Sequence, residues 1–282
     1  MIRDDIITLP DGRAVAYTTI GRPAGRVVCH HHGAPGGRLE LVGLDAEFDR
    51  AGVRVVTADR PGYGGSTPLA GRATVDWVDD VEALADHLGV EQFGVMGLSS
   101  GGPYAVACAS LLRDRVVGAV VAAGNTDMSW PGARDGYLQS ELDVMALDDA
   151  DAAAALCTER HGADGSGFFG ADGGTDLGAT DDEWLADETN TTTLLVSMNE
   201  AFAQGVVGYA HDIWVQGRPW SFDPSTITCP VIVVHGDDDQ LVPIAHSRHT
   251  ASLIPGAELR ILPGVGHLSL IDQLPALAAE LE

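Results

Sequence analysis

Apolar positions along the chain follow two rhythms. Short runs rich in Val, Ile and Ala read as buried strands at 14–19, 27–31, 54–58, 93–96, 116–122, 231–235 and 258–261. Between them lie longer stretches with helical spacing or unbroken apolar character, at 39–51, 75–88, 103–112, 245–253 and 272–281. Strand and helix alternate, which predicts an α/β fold: a mostly parallel sheet with helices on both faces. The rhythm breaks over residues 125–223, a stretch rich in Ala, Gly, Asp and Thr that carries Trp130, Trp184, Trp214 and Trp220. It reads as a helical cap inserted into the sheet domain, leaving a core formed by 1–124 and 224–282. A disordered acidic linker is the alternative. The four tryptophans and the apolar run 194–198 oppose it for all but the glycine-rich part, HGADGSGFFGADGGTDLGATDDEW, which is expected to be mobile.

Composition narrows the class. The chain has 282 residues, room for one large core or a core with a small lid. No apolar run approaches the ~20 residues of a membrane helix. The start, MIRDDIITLPDGR, lacks the basic and apolar regions of a secretory signal. Cys29, Cys108, Cys157 and Cys229 are scattered, with no Cys-x-x-Cys pair, and read as reduced thiols. A cytoplasmic protein is expected. The net charge is −25, and all 16 basic residues are arginine. Such a chain repels nucleic acid and anionic membrane surfaces. Lysine avoidance with aspartate excess fits a high-salt cytoplasm or a high-GC coding bias. The expected partner is a small-molecule substrate, with a homodimer left open.

The candidate chemistry starts at VMGLSSGGPYAVA, residues 95–107. A strand ends here and a helix begins, so the serines occupy a sharp turn. Gly97-Leu98-Ser99-Ser100-Gly101 fits the G-x-S-x-G nucleophile elbow, which needs small residues two before and two after the nucleophile. That frame selects Ser99; shifting it by one puts Leu98 where a small residue is required. The bland alternative is a glycine-rich helix start with either serine as an N-cap.

Four further segments bear on that choice. HHHGAPGG, residues 30–37, follows a strand and can point backbone N–H groups at a developing oxyanion. The expected donors are the amides of Ala34 and of Ser100, the residue after the nucleophile. Alternate strand residues face opposite ways, so His30, His31 and His32 do not readily converge on a metal, and none is expected. DRPGYGGS, residues 59–66, reads as turn architecture. VVHGDDDQLVP, residues 233–243, ends a strand with Asp237, Asp238 and Asp239, one of which could orient a histidine. LPGVGHLSL, residues 262–270, sets His267 in a glycine-rich turn, giving the chain order Ser…Asp…His.

With these segments together, the chain resembles the α/β-hydrolase superfamily over nearly its whole length, the cap excepted. The resemblance rests on His32-Gly33-Ala34-Pro35-Gly36, Asp59-Arg60-Pro61-Gly62-Tyr63-Gly64, the elbow, Gly236-x-x-Asp239 with Val242-Pro243, and Gly266-His267. It implies a Ser99–His267–Asp239 triad, since the family's acid lies three residues after the glycine and four before the proline. Asp127, where some relatives carry their acid, is the rival; Asp59 belongs to a loop the resemblance marks as structural. Ser99 departs from the aspartate-nucleophile dehalogenase and epoxide hydrolase branches. The elbow is not the Gly-Gly-Ser-Trp-Gly type of prolyl aminopeptidases, although HGAPGG is similar to their oxyanion loop. The expected activity is a cofactor-free serine hydrolase, an esterase rather than a peptidase. Its substrate would be a small neutral apolar ester, thioester or lactone, in a pocket lined by Trp130, Trp184 and Trp214. C–C bond hydrolysis, perhydrolysis and an aminopeptidase-like activity use the same triad; a non-catalytic receptor on the same scaffold is the reading of another class.

Overall fold

The computed structural model describes residues 2–169 and 177–281. Every expected strand forms, and one more precedes them. The strands are β1 (Arg3–Thr8), β2 (Ala14–Gly21), β3 (Arg26–His31), β4 (Val53–Ala58), β5 (Phe93–Leu98), β6 (Val116–Ala122), β7 (Val231–Gly236) and β8 (Glu258–Leu262). They form one sheet in the order β1-β2-β4-β3-β5-β6-β7-β8. The pairings β1–β2 and β2–β4 are antiparallel and the remainder parallel. Strand β1 escapes pattern reading because it lies at the edge: it begins Arg-Asp-Asp and buries only Ile7. Charge at an edge discourages pairing with other chains and leaves no alternation to see.

The period of two divides each central strand between two cores. On β5, Phe93 and Val95 join Trp77, Val81 and Tyr104 on one face. Met96 and Leu98 join Phe48, Leu270 and Leu274 on the other. The helices covering these faces are α1 (Asp45–Ala51), α2 (Asp76–His87), α3 (Gly102–Leu111), α9 (Ala245–Leu253) and α10 (Leu274–Ala279). Helix α3 is buried on nearly all sides, which explains its lack of a polar stripe.

Two helices are shorter than expected. The stretch 39–51 opens as turns and a 3₁₀ segment, Val42–Leu44, before α1. Its first residues serve instead to present Glu40 to the loop after β3. The stretch 272–281 is split into a 3₁₀ segment, Ser269–Gln273, and α10, with Pro275 in the first turn where a missing N–H does no harm.

Between β6 and β7 the chain forms α4 (Gln139–Met145), α5 (Ala150–His161), α6 (Ala179–Leu185), α7 (Glu188–Ala201) and α8 (Val207–Gln216). Residues 170–176, within the glycine-rich stretch expected to be mobile, lie outside the described residues. The segment has an apolar cluster of its own, including Met128, Met145, Phe202 and Ile213, into which core residues Tyr63 and Val242 also project. Part of its aspartate is used in capping: Asp149 accepts from the Ala152 amide at 2.7 Å and Asp187 from the Thr189 amide at 2.7 Å. The four cysteines are unpaired, three of them buried. Among the described residues, no helix is long and apolar enough to cross a membrane.

Candidate active site

The order of strands reverses at β3: the chain steps to β4 on one side, then returns to β5 on the other. The crevice beyond the strand ends at such a switch point is where α/β sheets place ligands. Here it brings the loop after β3 beside the turn after β5, with His30 opposite Met96 and His31 opposite Gly97.

The turn after β5 explains the glycines around the serines. Ser99 has φ +53°, a left-handed conformation costly for a side chain-bearing residue. A Cβ on Gly97 would come within 2.3 Å of the Gly101 carbonyl oxygen, and one on Gly101 within 1.9 Å of the His31 oxygen. A Cβ on Gly102 would lie 2.7 Å from the Gly124 Cα. The backbone is therefore folded so tightly that side chains are excluded at Gly97, Gly101 and Gly102. Ser99 lines a cavity of about 410 Å³. Ser100 is 1% exposed, in the turn, and is not on the cavity wall.

His267 lies on the same wall. Its Nδ1 is 2.8 Å from Asp239 Oδ2, which leaves Nε2 as the nitrogen able to meet Ser99. Asp239 is itself fixed by four groups. Oδ1 accepts from the Leu241 and Val242 amides at 2.8 and 2.9 Å, and Oδ2 also lies 3.3 Å from His235 Nε2. Burial alone would raise the Asp239 pKa. The charge of His267 and hydrogen bonds from His235 and His267 outweigh it and hold the carboxyl far below its usual range. For His267 burial disfavours the cation, but the charge and hydrogen bond of Asp239 prevail, aided by Asp181 and Glu40, and the pKa sits above 6.5. Asp127 is occupied elsewhere, accepting from the Ser129 amide at 2.9 Å and the Trp220 amide at 3.3 Å. Asp237 accepts from the Gly264 amide at 2.7 Å, and Asp238 from the Thr180 hydroxyl.

The three adjacent histidines have three different partners. His30 Nε2 lies 2.6 Å from Glu40, His31 Nδ1 accepts from Trp77 Nε1 at 3.1 Å, and His32 Nδ1 donates to the Gly33 carbonyl at 2.7 Å. No group of three His, Cys, Asp or Glu side chains is placed to hold a metal among the described residues. Arg60, from the loop read as turn architecture, holds the carbonyls of His32 and Gly33 at 2.5 and 3.1 Å. In a trans peptide the C=O and the following N–H point opposite ways. Fixing the Gly33 carbonyl on Arg60 thus turns the Ala34 N–H away from it. Ala34 lines the cavity, and its N–H has no acceptor among the described residues.

Arg60 is fully buried and answered from the inserted segment. Asp212 on α8 lies 2.7 Å from Arg60 Nη2 and 2.8 Å from Arg72 Nη2. It also accepts from Tyr104 and Tyr63 hydroxyls at 2.5 and 3.2 Å. The two arginine charges outweigh burial and keep its pKa far below normal. Sequence reading missed Arg60, Glu40 and Asp212. For Arg60 a signal existed, an arginine between turn residues; Asp212 stands in a helix with nothing to mark it.

Of the three tryptophans expected to line the pocket, Trp184 is on the cavity wall. Trp130 and Trp214 are not, which corrects that expectation. Trp130 stacks on His249 with centroids 4.1 Å apart. Trp214 donates to the Leu147 carbonyl at 2.9 Å with Arg218 over its ring. Both are spent on packing. In their place stand Phe168, Tyr137 and Tyr209. Glu141 lies among them, 6% exposed, accepting from Tyr137 at 2.5 Å and Tyr209 at 3.4 Å. Burial raises its pKa to about 7, the two hydroxyls opposing.

Residues 26–274 match the family model of the alpha/beta hydrolase fold, and the chain belongs to that family. It is 28% identical over 277 residues to a non-heme haloperoxidase of Rhodococcus erythropolis, covering 93% of this chain and 92% of the relative. It is 25% identical over 288 residues to a proline iminopeptidase of Xanthomonas citri, covering 93% and 89%. Among solved structures, an esterase from Thermogutta terrifontis superposes with a TM-score of 0.71 at 22% identity, covering 98% of this chain and 95% of that one; this likeness shows the fold.

Proposed function

We propose that the protein is a cytoplasmic serine hydrolase that cleaves a carboxylic ester, thioester or lactone of a small neutral apolar substrate. The observation that carries this is Asp239 bound to Nδ1 of His267, with His267 and the strained Ser99 on one cavity wall. His267 Nε2 takes the Ser99 proton as Oγ attacks the carbonyl carbon. Asp239 holds the imidazole tautomer and balances its cation. The Ala34 and Ser100 amides receive the oxyanion, each worth about 3 kcal/mol of barrier. The leaving group departs with the proton from His267. Water, deprotonated by His267, then releases the acid and restores Ser99. The chain's own groups supply every step, with no cofactor.

Residues 125–223 act as a cap that shapes access to the cavity. The wall carries Glu40, Glu141 and Asp272 and, among the described residues, no arginine, which disfavours anionic substrates. The unpaired thiols fit a reducing compartment. A second reading, perhydrolysis on the same triad, is supported by likeness to a bifunctional esterase/perhydrolase of Acinetobacter calcoaceticus, 27% identical over 273 residues.

Turnover of p-nitrophenyl acetate, butyrate and octanoate tests the reading. The expected result is hydrolysis that favours the shorter esters, with an acid limb above pH 6.5 because the raised pKa of His267 must be passed before it can act as base. Binding of these esters without turnover would make the protein a receptor.

A further inference from the structure

Helix α6 belongs to the inserted segment, yet it holds the loop that carries His267. Asp181, in its first turn, is fully buried. Its Oδ2 accepts from the His267 amide at 2.7 Å and the Leu268 amide at 3.0 Å. Its Oδ1 accepts from the Ser269 amide at 2.9 Å. Three consecutive backbone donors of one loop thus converge on one carboxylate from another part of the chain. These amides open the 3₁₀ segment Ser269–Gln273, so Asp181 does from outside what an N-cap residue does locally. The approach is close enough to dictate sequence: a Cβ on Gly266 would lie 2.3 Å from Asp181 Oδ1. The same helix reaches further along both loops of the site. Trp184 Nε1 donates to Asp272 at 3.0 Å, and Thr180 donates to Asp238, the neighbour of Asp239.

We propose that Asp181 is a positioning residue for His267, through which the cap fixes the place of the base in the core. The three hydrogen bonds set the backbone from which the imidazole projects. Charge-assisted bonds of this kind are about twice as strong as neutral ones, and without them the loop would present unpaired buried amides. The carboxylate also faces His267, together with Asp239 from the loop after β7, Glu40 from the loop after β3 and Glu141 from α4. Its negative charge favours the imidazolium that forms as Ser99 attacks. The kinetic consequence rests on the serine-hydrolase reading; the clamp itself does not.

The test has two arms. In the unmodified protein, amide exchange followed by NMR should find the His267, Leu268 and Ser269 amides as protected as those of α6. In Asp181→Ala they should exchange roughly 10- to 100-fold faster. In the kinetic arm, Asp181→Asn should lower kcat for p-nitrophenyl acetate roughly 10- to 100-fold with KM changed less than about threefold. Its acid limb should move to lower pH, since one negative charge facing His267 is gone. Thr180→Val, which removes another α6 contact, should keep kcat within about twofold. Equal losses in Thr180→Val and Asp181→Asn, or a wild-type kcat and unmoved limb in Asp181→Asn, would overturn the proposal. Should the Asp181 variants not fold, fast exchange of the three amides in the unmodified protein beside a protected α6 would overturn it as well. If no ester is turned over, the hydrolase reading falls while the exchange arm still decides the clamp.

Discussion

The sheet domain and the segment inserted into it are held by different forces. In the sheet domain, apolar side chains alternate onto two large cores and the glycines of the elbow allow backbones to touch. The inserted segment has an apolar cluster too, which Tyr63 and Val242 of the core share, and two buried carboxylates add directional ties to the core. Asp212 answers Arg60 and Arg72, and Asp181 answers three amides of the His267 loop. Hydrophobic contact is non-directional and tolerates sliding. A buried ion pair or a three-amide cradle does not, because misalignment leaves desolvated polar groups unmatched. The carboxylates thus add directional ties where the inserted segment meets the sheet domain. Both carboxylates end on loops of the candidate site, one behind the Ala34 amide and one behind His267.

Substitutions separate the directional ties from the apolar packing. The largest effect is expected at the proposed acid: Asp239→Asn should lower kcat about 10⁴-fold, whereas Asp127→Asn should change it only a few-fold. The reverse ranking, read from steady-state kinetics, would transfer the role to Asp127. Next, Asp212→Ala should cost about 3–5 kcal/mol of stability by leaving two buried arginines unanswered, measured by urea unfolding. A cost below about 1 kcal/mol would mean that the apolar cluster alone places the cap.

Glu141→Gln is expected to matter less, and in a pH-dependent way. The folded pKa of Glu141 is raised to about 7. The native state therefore holds a proton that the unfolded chain has released, and stability falls as pH rises from the ordinary glutamate range toward 7. Removing the group should make the variant gain on the wild type by on the order of 2 kcal/mol between pH 5 and pH 8. A pH-independent difference would show that Glu141 ionises normally. The smallest effect is expected at Trp184→Ala, which should shift the octanoate-to-acetate ratio of kcat/KM by less than about tenfold while Trp214→Ala leaves it unchanged.

The same contrast decides what was legible beforehand. Sheet strands repeat a pattern, so their existence and order of appearance could be read from Val, Ile and Ala runs. Edge strand β1 could not, because its outward charges erase the alternation. The tight turn after β5 was legible because steric exclusion acts within five neighbouring residues, and the Gly97 and Gly101 contacts are those the frame argument demands. The tryptophans misled for a physical reason: an indole serves a pocket wall or a packing seam equally well, and Trp130 and Trp214 took the seam. Asp181 and Asp212 left no trace. A carboxylate that bonds across 86 or 140 positions of chain has no local spacing to give it away.

In the proposed mechanism the strained turn presents Ser99, and not Ser100, as the nucleophile to His267. A fluorophosphonate reacts with such a serine and leaves a covalent adduct that peptide mass spectrometry can place. The adduct is expected on Ser99, absent in Ser99→Ala and persistent in Ser100→Ala. An adduct on Ser100, or ester turnover undiminished in Ser99→Ala, would contradict that mechanism.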